Sequence, residues 1–447
     1  MRRILTLPQI IFKHRYGFTL FAFLAAATVT GPACVLFMRA FEVADRNRLD
    51  MTSVGHWSWL TTPLLFLISI ELIRRIAPCA EGSGIQQAVF AAKHLNSKTE
   101  KVLSPLISFR TLAVKTAAIL IGVWAGASMG REGPTVHVAT CMFVGMLLLF
   151  RRWTGIQFDF RSAIIAGGAA GLAAAFNTPL AGVTFAIEEL SEDYFSHIKD
   201  FVMMAIIIAA IAAKHMTGEY AYFGRLSEPP SLPLLTIVLV GVVGGLLGAF
   251  FSSALVTGRN MVARYQSGWA RYLLPVLLAW GVLSTAALGW PNTLGPGNLA
   301  AQDLLRGHYE KLTAFFPFAK MAATLMSYWS GIAGGIFAPS LSIGSAMGAA
   351  VGHWMRVPIA ACALIGMAAF LSGTIQAPIT SFVIIFEMSG QHQMLLPIML
   401  ASMLAFMVAR VLGTKHLYQA LAANYQYLLV PEMASPENRS RHGGIEP

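Results

Sequence analysis

Charge is scarce in this chain. Of its 447 residues only 12% are charged, about half the share of an ordinary soluble domain. Acidic residues are the scarcer sign: 21 Asp and Glu stand against 32 Lys and Arg, for a net charge of +11. Cysteine is scarcer still. Cys34, Cys79, Cys141 and Cys362 lie far apart, in or beside apolar segments, and fit neither a CxxC pair nor a zinc spacing. They read as small buried hydrophobes. No P-loop and no HExxH occurs, and no Ser or Cys nucleophile has a plausible paired base nearby. We therefore expect no cofactor, metal or ATP site, and an intramembrane enzyme is only a distant alternative. The basic residues are scattered and accompany no recognised binding motif, which argues against a nucleic-acid partner.

What the chain has in abundance is apolar sequence, at 56%. Apolar stretches follow one another from residue 17 to residue 412, which reads as a polytopic membrane protein in a lipid bilayer. Some stretches are too long for one perpendicular span and others too short, and Gly or Pro interrupts many. The expectation is an all-α membrane protein of tilted, broken and partial helices, tolerated where the freed backbone is buried in protein or lines a cavity. The basic N-terminus and the apolar run after it resemble a signal peptide, but the run is too long, so it reads as a retained first helix. The expected organisation is an N-terminal segment (1–16), a first membrane repeat (17–216), a polar linker (217–231), a second membrane repeat (232–429) and a short polar tail (430–447). Basic residues outside the spans place that N-terminal segment in the cytoplasm.

The two repeats are argued from paired landmarks. Gly126-Ala-Ser-Met-Gly130-Arg131-Glu132-Gly133-Pro134 and Gly331-Ile-Ala-Gly-Gly335-Ile336-Phe337-Ala338-Pro339 share a glycine–proline frame in register. Farther on, Asn177 precedes Pro179 by two residues as Gln376 precedes Pro378, and Glu188 falls opposite Glu387. Corresponding breaks in the hydrophobic segments of two halves mark transporters built from internal repeats, with the substrate site between them.

The frames also carry chemistry. Glycine permits close approach of backbone, and proline favours the first turn of a helix. A helix that starts in mid-membrane offers free N–H groups and a partial positive charge of roughly half a unit. Two such starts facing each other would hold a dehydrated anion without a full positive charge that binds it too firmly. The competing reading, glycines that merely permit tight helix packing, explains one frame better than it explains two in register. Glu132 lies inside the first frame, where an ionisable group is a functional candidate by default. Its carboxylate is itself an anion and can occupy the place of a mobile one, leaving it when protonated. A structural pair with Arg131 is disfavoured, because sequence neighbours do not face each other on a helix.

Gly130-Arg131-Glu132-Gly133-Pro134 resembles the GREGP motif of the CLC family of chloride channels and proton-coupled chloride transporters. Gly334-Gly335-Ile336-Phe337-Ala338-Pro339 resembles its GGIFAP segment, Gly82-Ser83-Gly84-Ile85 its GSGIP segment, and Ala166 through Leu190 its segment ending in paired glutamates. The match runs from about residue 80 to 420, with the motifs in family order. The resemblance implies two inverted-topology repeats, a homodimer with one pathway per subunit, and chloride and protons as the transported species. It further implies a bacterial inner membrane with both termini cytoplasmic. Glu132 resembles the external gating glutamate and Glu189 the internal proton-transfer glutamate, with Glu188 a structural neighbour. Ser83 and Tyr418 resemble the hydroxyl pair at the central chloride, Ile336 and Phe337 its backbone donors, and the backbone of Arg131, Glu132 and Gly133 the lining of the outer anion position. Many family channels lack the internal glutamate, so its presence favours chloride/proton antiport over a passive chloride channel.

Each residue has a plainer competitor. Ser83 is also a turn former, Tyr418 an interfacial anchor, Lys115 a snorkelling anchor, and His137 a satisfied packing residue. Glu189 begins an acidic stretch with Glu192 and Asp193 that also suits a solvated helix end. One departure stands out: Gln86 replaces the proline of GSGIP, restoring an N–H and loosening the start of the next helix.

Overall fold

The computed structural model describes residues 7–53, 57–96, 98–191, 195–218, 232–265, 268–309 and 314–429, with side chains for all of these but 7–16, 49–53 and 195–199. Most of the polar linker, the C-terminal tail, and Glu192 and Asp193 thus lie outside the described residues.

Apolar sequence of this length in a bilayer must satisfy its backbone internally, and helices do so. The first half forms α1 (Leu7–Ser53), α2 (Ser58–Ile76), α3 (Ile85–His94), α4 (Glu100–Leu103), α5 (Phe109–Trp124), α6 (Glu132–Thr154), α7 (Phe160–Phe176), α8 (Pro179–Phe185) and α9 (Phe195–Thr217). The second forms α10 (Leu234–Arg264), α11 (Ala270–Ala287), α12 (Asn298–Leu305), α13 (Phe316–Trp329), α14 (Phe337–Met355), α15 (Ile359–Ile375), α16 (Pro378–Ser389), α17 (Leu395–Val411) and α18 (Leu417–Ala422). Seven helical segments among the described residues are long and apolar enough to cross a membrane, from Gly17–Arg48 to His392–Val411. The others are partial helices, such as α3, α8, α12 and α16.

The halves pack alike. α6 lies on α7 as α14 lies on α15, and α1 lies on α9 as α10 lies on α17. The α14–α15 pair is drawn in by glycine: a Cβ on Gly348 would strike the Cys362 carbonyl, and one on Gly366 the Gly344 carbonyl. Asn177 and Gln376 end α7 and α15 in the left-handed region at φ 57° and 64°, so the amide before each proline is a helix C-cap in both halves. Among the described residues the only β-bridges are Gly82 with Ala333 and Gly130 with Gly335. Both join one half to the other.

A reciprocal exchange of carboxylates ties the halves again. Glu188 accepts from the N–H groups of Ile379 (3.0 Å) and Thr380 (2.6 Å) at the start of α16. Glu387 accepts from those of Leu180 (3.1 Å) and Ala181 (2.8 Å) at the start of α8. Each glutamate thus caps a partial helix of the opposite half, where helix N–H groups otherwise lack acceptors. Glu188→Ala and Glu387→Ala are each expected to cost about 1–3 kcal/mol and to lower the unfolding midpoint of the detergent-solubilised protein. A midpoint unchanged in both variants removes these caps from the forces holding the halves together.

Candidate functional site

The starts of two helices meet in the protein interior. The Gly130 N–H donates to the Gly335 carbonyl at 2.7 Å, and the Gly335 N–H returns a bond to the Gly130 carbonyl at 2.8 Å. α6 then begins at Glu132 and α14 at Phe337. The Thr135 N–H reaches the Arg131 carbonyl and the Ser340 N–H the Ile336 carbonyl, each at 2.9 Å. The N–H groups ahead of these have no acceptor within their own helix. Pro134 and Pro339, each third in its helix, contribute none.

A third segment completes the enclosure. Gly82 and Gly84 turn the chain in the left-handed region, at φ +73° and +106°, so that Ser83 faces the frames and α3 starts at Ile85. The Gly82 carbonyl accepts from the Gly334 N–H (3.2 Å) and from the Lys115 ammonium (2.9 Å). Ser83 presses on Gly133, where a Cβ would overlap its hydroxyl. Tyr418, in the first turn of α18, stacks parallel to Phe337 with ring centroids 6.1 Å apart and planes 8° off. Ser83 and Tyr418 are both 0% exposed. Their hydroxyls lie within reach of one another, and neither has a hydrogen-bond partner in any other residue. Buried polar groups are nearly always paired, so two orphaned hydroxyls side by side mark a place for a ligand.

Glu132 reaches the same place. Its side chain is fully buried, and Oε2 accepts from the Ala338 N–H at the start of α14, at 3.3 Å. A carboxylate therefore lies on the amides of the opposite half. Ser83, Glu132, Ile336, Phe337 and Tyr418 come together here, with Gly133 against Ser83. The Arg131 guanidinium turns away and pairs with Glu42 of α1, while its backbone stays as the N-cap of α6. Glu189 stands apart, in a π-helical stretch, Ala186–Ser191, that continues α8. Both of its carboxylate oxygens are buried without a partner. It lines a cavity of about 190 Å³ together with Lys93, His94, Arg161, Gln419 and Gln426. His137 donates through Nε2–H to the Leu106 carbonyl at 2.7 Å and lies outside the cluster.

Two features were not read from the sequence. Lys320 is buried and donates to the carbonyls of Thr293 (2.8 Å) and Gly295 (2.7 Å), as Lys115 does to Gly82. The signal was present: Lys115 precedes Gly126 by the same interval as Lys320 precedes Gly331. With Gln86 in place of proline, α3 begins directly after Gly84. Its Oε1 accepts from the Tyr328 hydroxyl at 3.3 Å, a bond that no local pattern announces.

Chemically, the site offers backbone N–H and side-chain O–H donors that face inward with no ammonium or guanidinium among them. That suits a dehydrated monovalent anion, and a carboxylate can take the same position when ionised.

The chain matches the family model described as voltage gated chloride channel over residues 64–410. It is 30% identical over 417 residues to the H(+)/Cl(-) exchange transporter ClcA of Yersinia pestis bv. Antiqua (strain Angola), covering 88% of this chain and 85% of that one. It is likewise 30% identical over 447 residues to the transporter of that name from Cronobacter sakazakii, covering 94% of this chain and 93% of that one. Among solved structures it resembles a slow cyanobacterial Cl-/H+ antiporter, with a TM-score of 0.78 and 25% identity over 93% of this chain and 99% of that one.

Because the Ser83 hydroxyl fills the space beside Gly133, Gly133→Ala is expected to displace it and to weaken halide binding about tenfold or more. Titration calorimetry with chloride or bromide on the purified protein measures this. Wild-type affinity in the variant would detach Ser83 from the site.

Proposed function

We propose that this chain, which belongs to the voltage gated chloride channel family, exchanges chloride for protons across the membrane that it spans. The observation that carries the reading is the Glu132 carboxylate on the Ala338 N–H, where an anion at the start of α14 would sit. Chloride and carboxylate compete for one set of donors. Chloride moving outward displaces Glu132 from the outer position; the freed carboxyl takes a proton from outside, returns, and passes it inward toward Glu189. Chloride meanwhile rests between the Ser83 and Tyr418 hydroxyls and the N–H groups of Ile336 and Phe337, with the backbone of Arg131 and Gly133 lining the outer position. No covalent chemistry is involved, so the protein is a transporter and not an enzyme.

A passive chloride channel would use most of the same residues. The exchange reading is favoured by Glu189, a buried carboxylate on its own cavity, which a simple anion conduit does not need. Lys93 and Arg161 line the Glu189 cavity, and these basic residues support assigning that side to the cytoplasm under the positive-inside rule. Both termini are assigned to the cytoplasm of a bacterial cell with the chain in its inner membrane, one repeat on each side of the 217–231 linker.

The active form is a homodimer. Leu180, Ile379, Met403 and Met407 are exposed large hydrophobics on α8, α16 and α17. Glu188 and Glu387, on or next to that apolar face, are only partly buried. A second copy covers these carboxylates better than lipid does.

In liposomes loaded with chloride, Glu132→Ala is expected to keep chloride flux and abolish proton movement; coupled uptake surviving that change rules Glu132 out as the gate. Glu189→Gln is expected to let chloride run without uphill proton pumping, measured with a pH electrode during chloride efflux. Proton pumping that persists means another group relays the proton. A reversal potential that ignores an imposed pH gradient in the wild type identifies a channel instead.

A further inference from the structure

Beneath the Ser83 loop, on the side where α2 and α10 end, lies an ion pair that the exchange cycle above does not use. Glu81, two residues before Ser83, pairs through Oε1 with the Arg259 guanidinium of α10. The two side chains are 29% and 16% exposed, so they sit at the edge of solvent and not in the core. The same carboxylate touches the second frame: a Cβ on Gly331 would lie 3.1 Å from Oε1. The Glu81 backbone is fixed as well, because its carbonyl accepts from Gln87 Nε2 (2.6 Å) and the Tyr425 hydroxyl (3.5 Å). Tyr328 bonds Gln86 and stands within electrostatic range of both charges of the pair. Arg74 and Lys115 also feel the Glu81 charge, and Arg259 touches it.

We propose that the Glu81–Arg259 pair sets the electrostatic potential at the inner end of the anion pathway, and so determines how tightly the Ser83 site holds chloride. Ser83 is two residues on from Glu81, so their backbones lie no more than about 7 Å apart. A bare carboxylate about 7 Å from a bound anion, at an effective dielectric constant near 20, opposes binding by roughly fiftyfold. Arg259 removes that opposition by neutralising Glu81 at contact. A lone guanidinium in the same place would hold chloride too firmly. The pair thus supplies one negative and one positive charge at the mouth, with the carboxylate tied where it cannot compete for the Ser83 donors as Glu132 does. Arg74 and Lys115 offset part of a bare Glu81 charge, which trims the expected effect toward tenfold.

This inference rests on the reading of Ser83 as an anion ligand, and the test separates the two. Chloride affinity is measured by titration calorimetry on the full-length protein at fixed pH. Arg259→Gln is expected to weaken affinity roughly tenfold, Glu81→Gln to tighten it, and the double variant to return within about threefold of wild type. Arg259→Lys, which keeps the charge but not the planar fork, is expected to stay near wild type. Opposite signs in the two single variants are the diagnostic result, since a merely structural pair weakens binding in both. Equal weakening in both single variants, or a double variant no better than Arg259→Gln, overturns the proposal. A wild-type protein that binds no chloride at all refutes the site reading instead.

Discussion

A helix that begins inside an apolar protein leaves backbone donors that neither water nor its own turn can satisfy. Two such beginnings occur here, and the structure resolves the problem by setting them against each other. The reciprocal Gly130–Gly335 bonds settle one donor and one acceptor on each side. They require glycine, since a Cβ on Gly335 would lie 3.0 Å from both the Gly130 carbonyl and the Gly133 nitrogen. The donors that remain need an anion. Cations stay out of the enclosure: Lys115 and Lys320 spend their charges on loop carbonyls, and Arg131 spends its own on Glu42. In the proposed reading an anion is held there by N–H and O–H dipoles, with no cation in contact with it.

That economy of charge makes the exchange possible. Because the site recognises negative charge through N–H and O–H groups, it does not distinguish sharply between a halide and a tethered carboxylate. Glu132, in the first turn of α6, reaches the start of α14 without any rearrangement of backbone. In the proposed cycle its occupancy and that of chloride exclude one another, and its release depends on a proton. In that proposed cycle Glu189 extends the proton's route away from the anion's. It sits off the Ser83–Tyr418 line, on a cavity shared with α3 and α18. A π-helical turn aims it there, a distortion of the kind found at functional positions.

The repeat explains which parts were legible in the sequence. The frames, the amides before Pro179 and Pro378, and the pairing of Glu188 with Glu387 recur at matching positions. Each is a local solution to the same local problem, a helix end inside the protein, and so leaves a short motif. The long-range pairs leave none. Arg131 with Glu42, Glu81 with Arg259, and Gln86 with Tyr328 each join residues far apart in the chain. Their identities follow from packing that no spacing encodes. Gln86 illustrates the point: proline's absence is visible in the sequence, but the tyrosine that takes over the restraint is not.

Function enters where the symmetry fails. Glu132 and Phe337 hold the same position in the two frames, one a titratable carboxylate and the other an apolar ring on Tyr418. Ser83 stands between Gly82 and Gly84 as Pro296 stands between Gly295 and Gly297, all four glycines at positive φ and each loop anchored by a buried lysine. Pro296 has neither hydroxyl nor N–H to offer an anion, so only one of the two loops can bind. A symmetric scaffold would have given two equivalent half-sites and no direction. By keeping the carboxylate in one half's frame, and placing the hydroxyls and the Glu81–Arg259 pair at the opposite end of the pathway, the chain makes its two ends chemically unlike. In the proposed cycle one end opens when a proton arrives, and the other is set by fixed charge and hydroxyl donors. On that reading the difference lets an inward proton and an outward chloride share the centre without passing through it together.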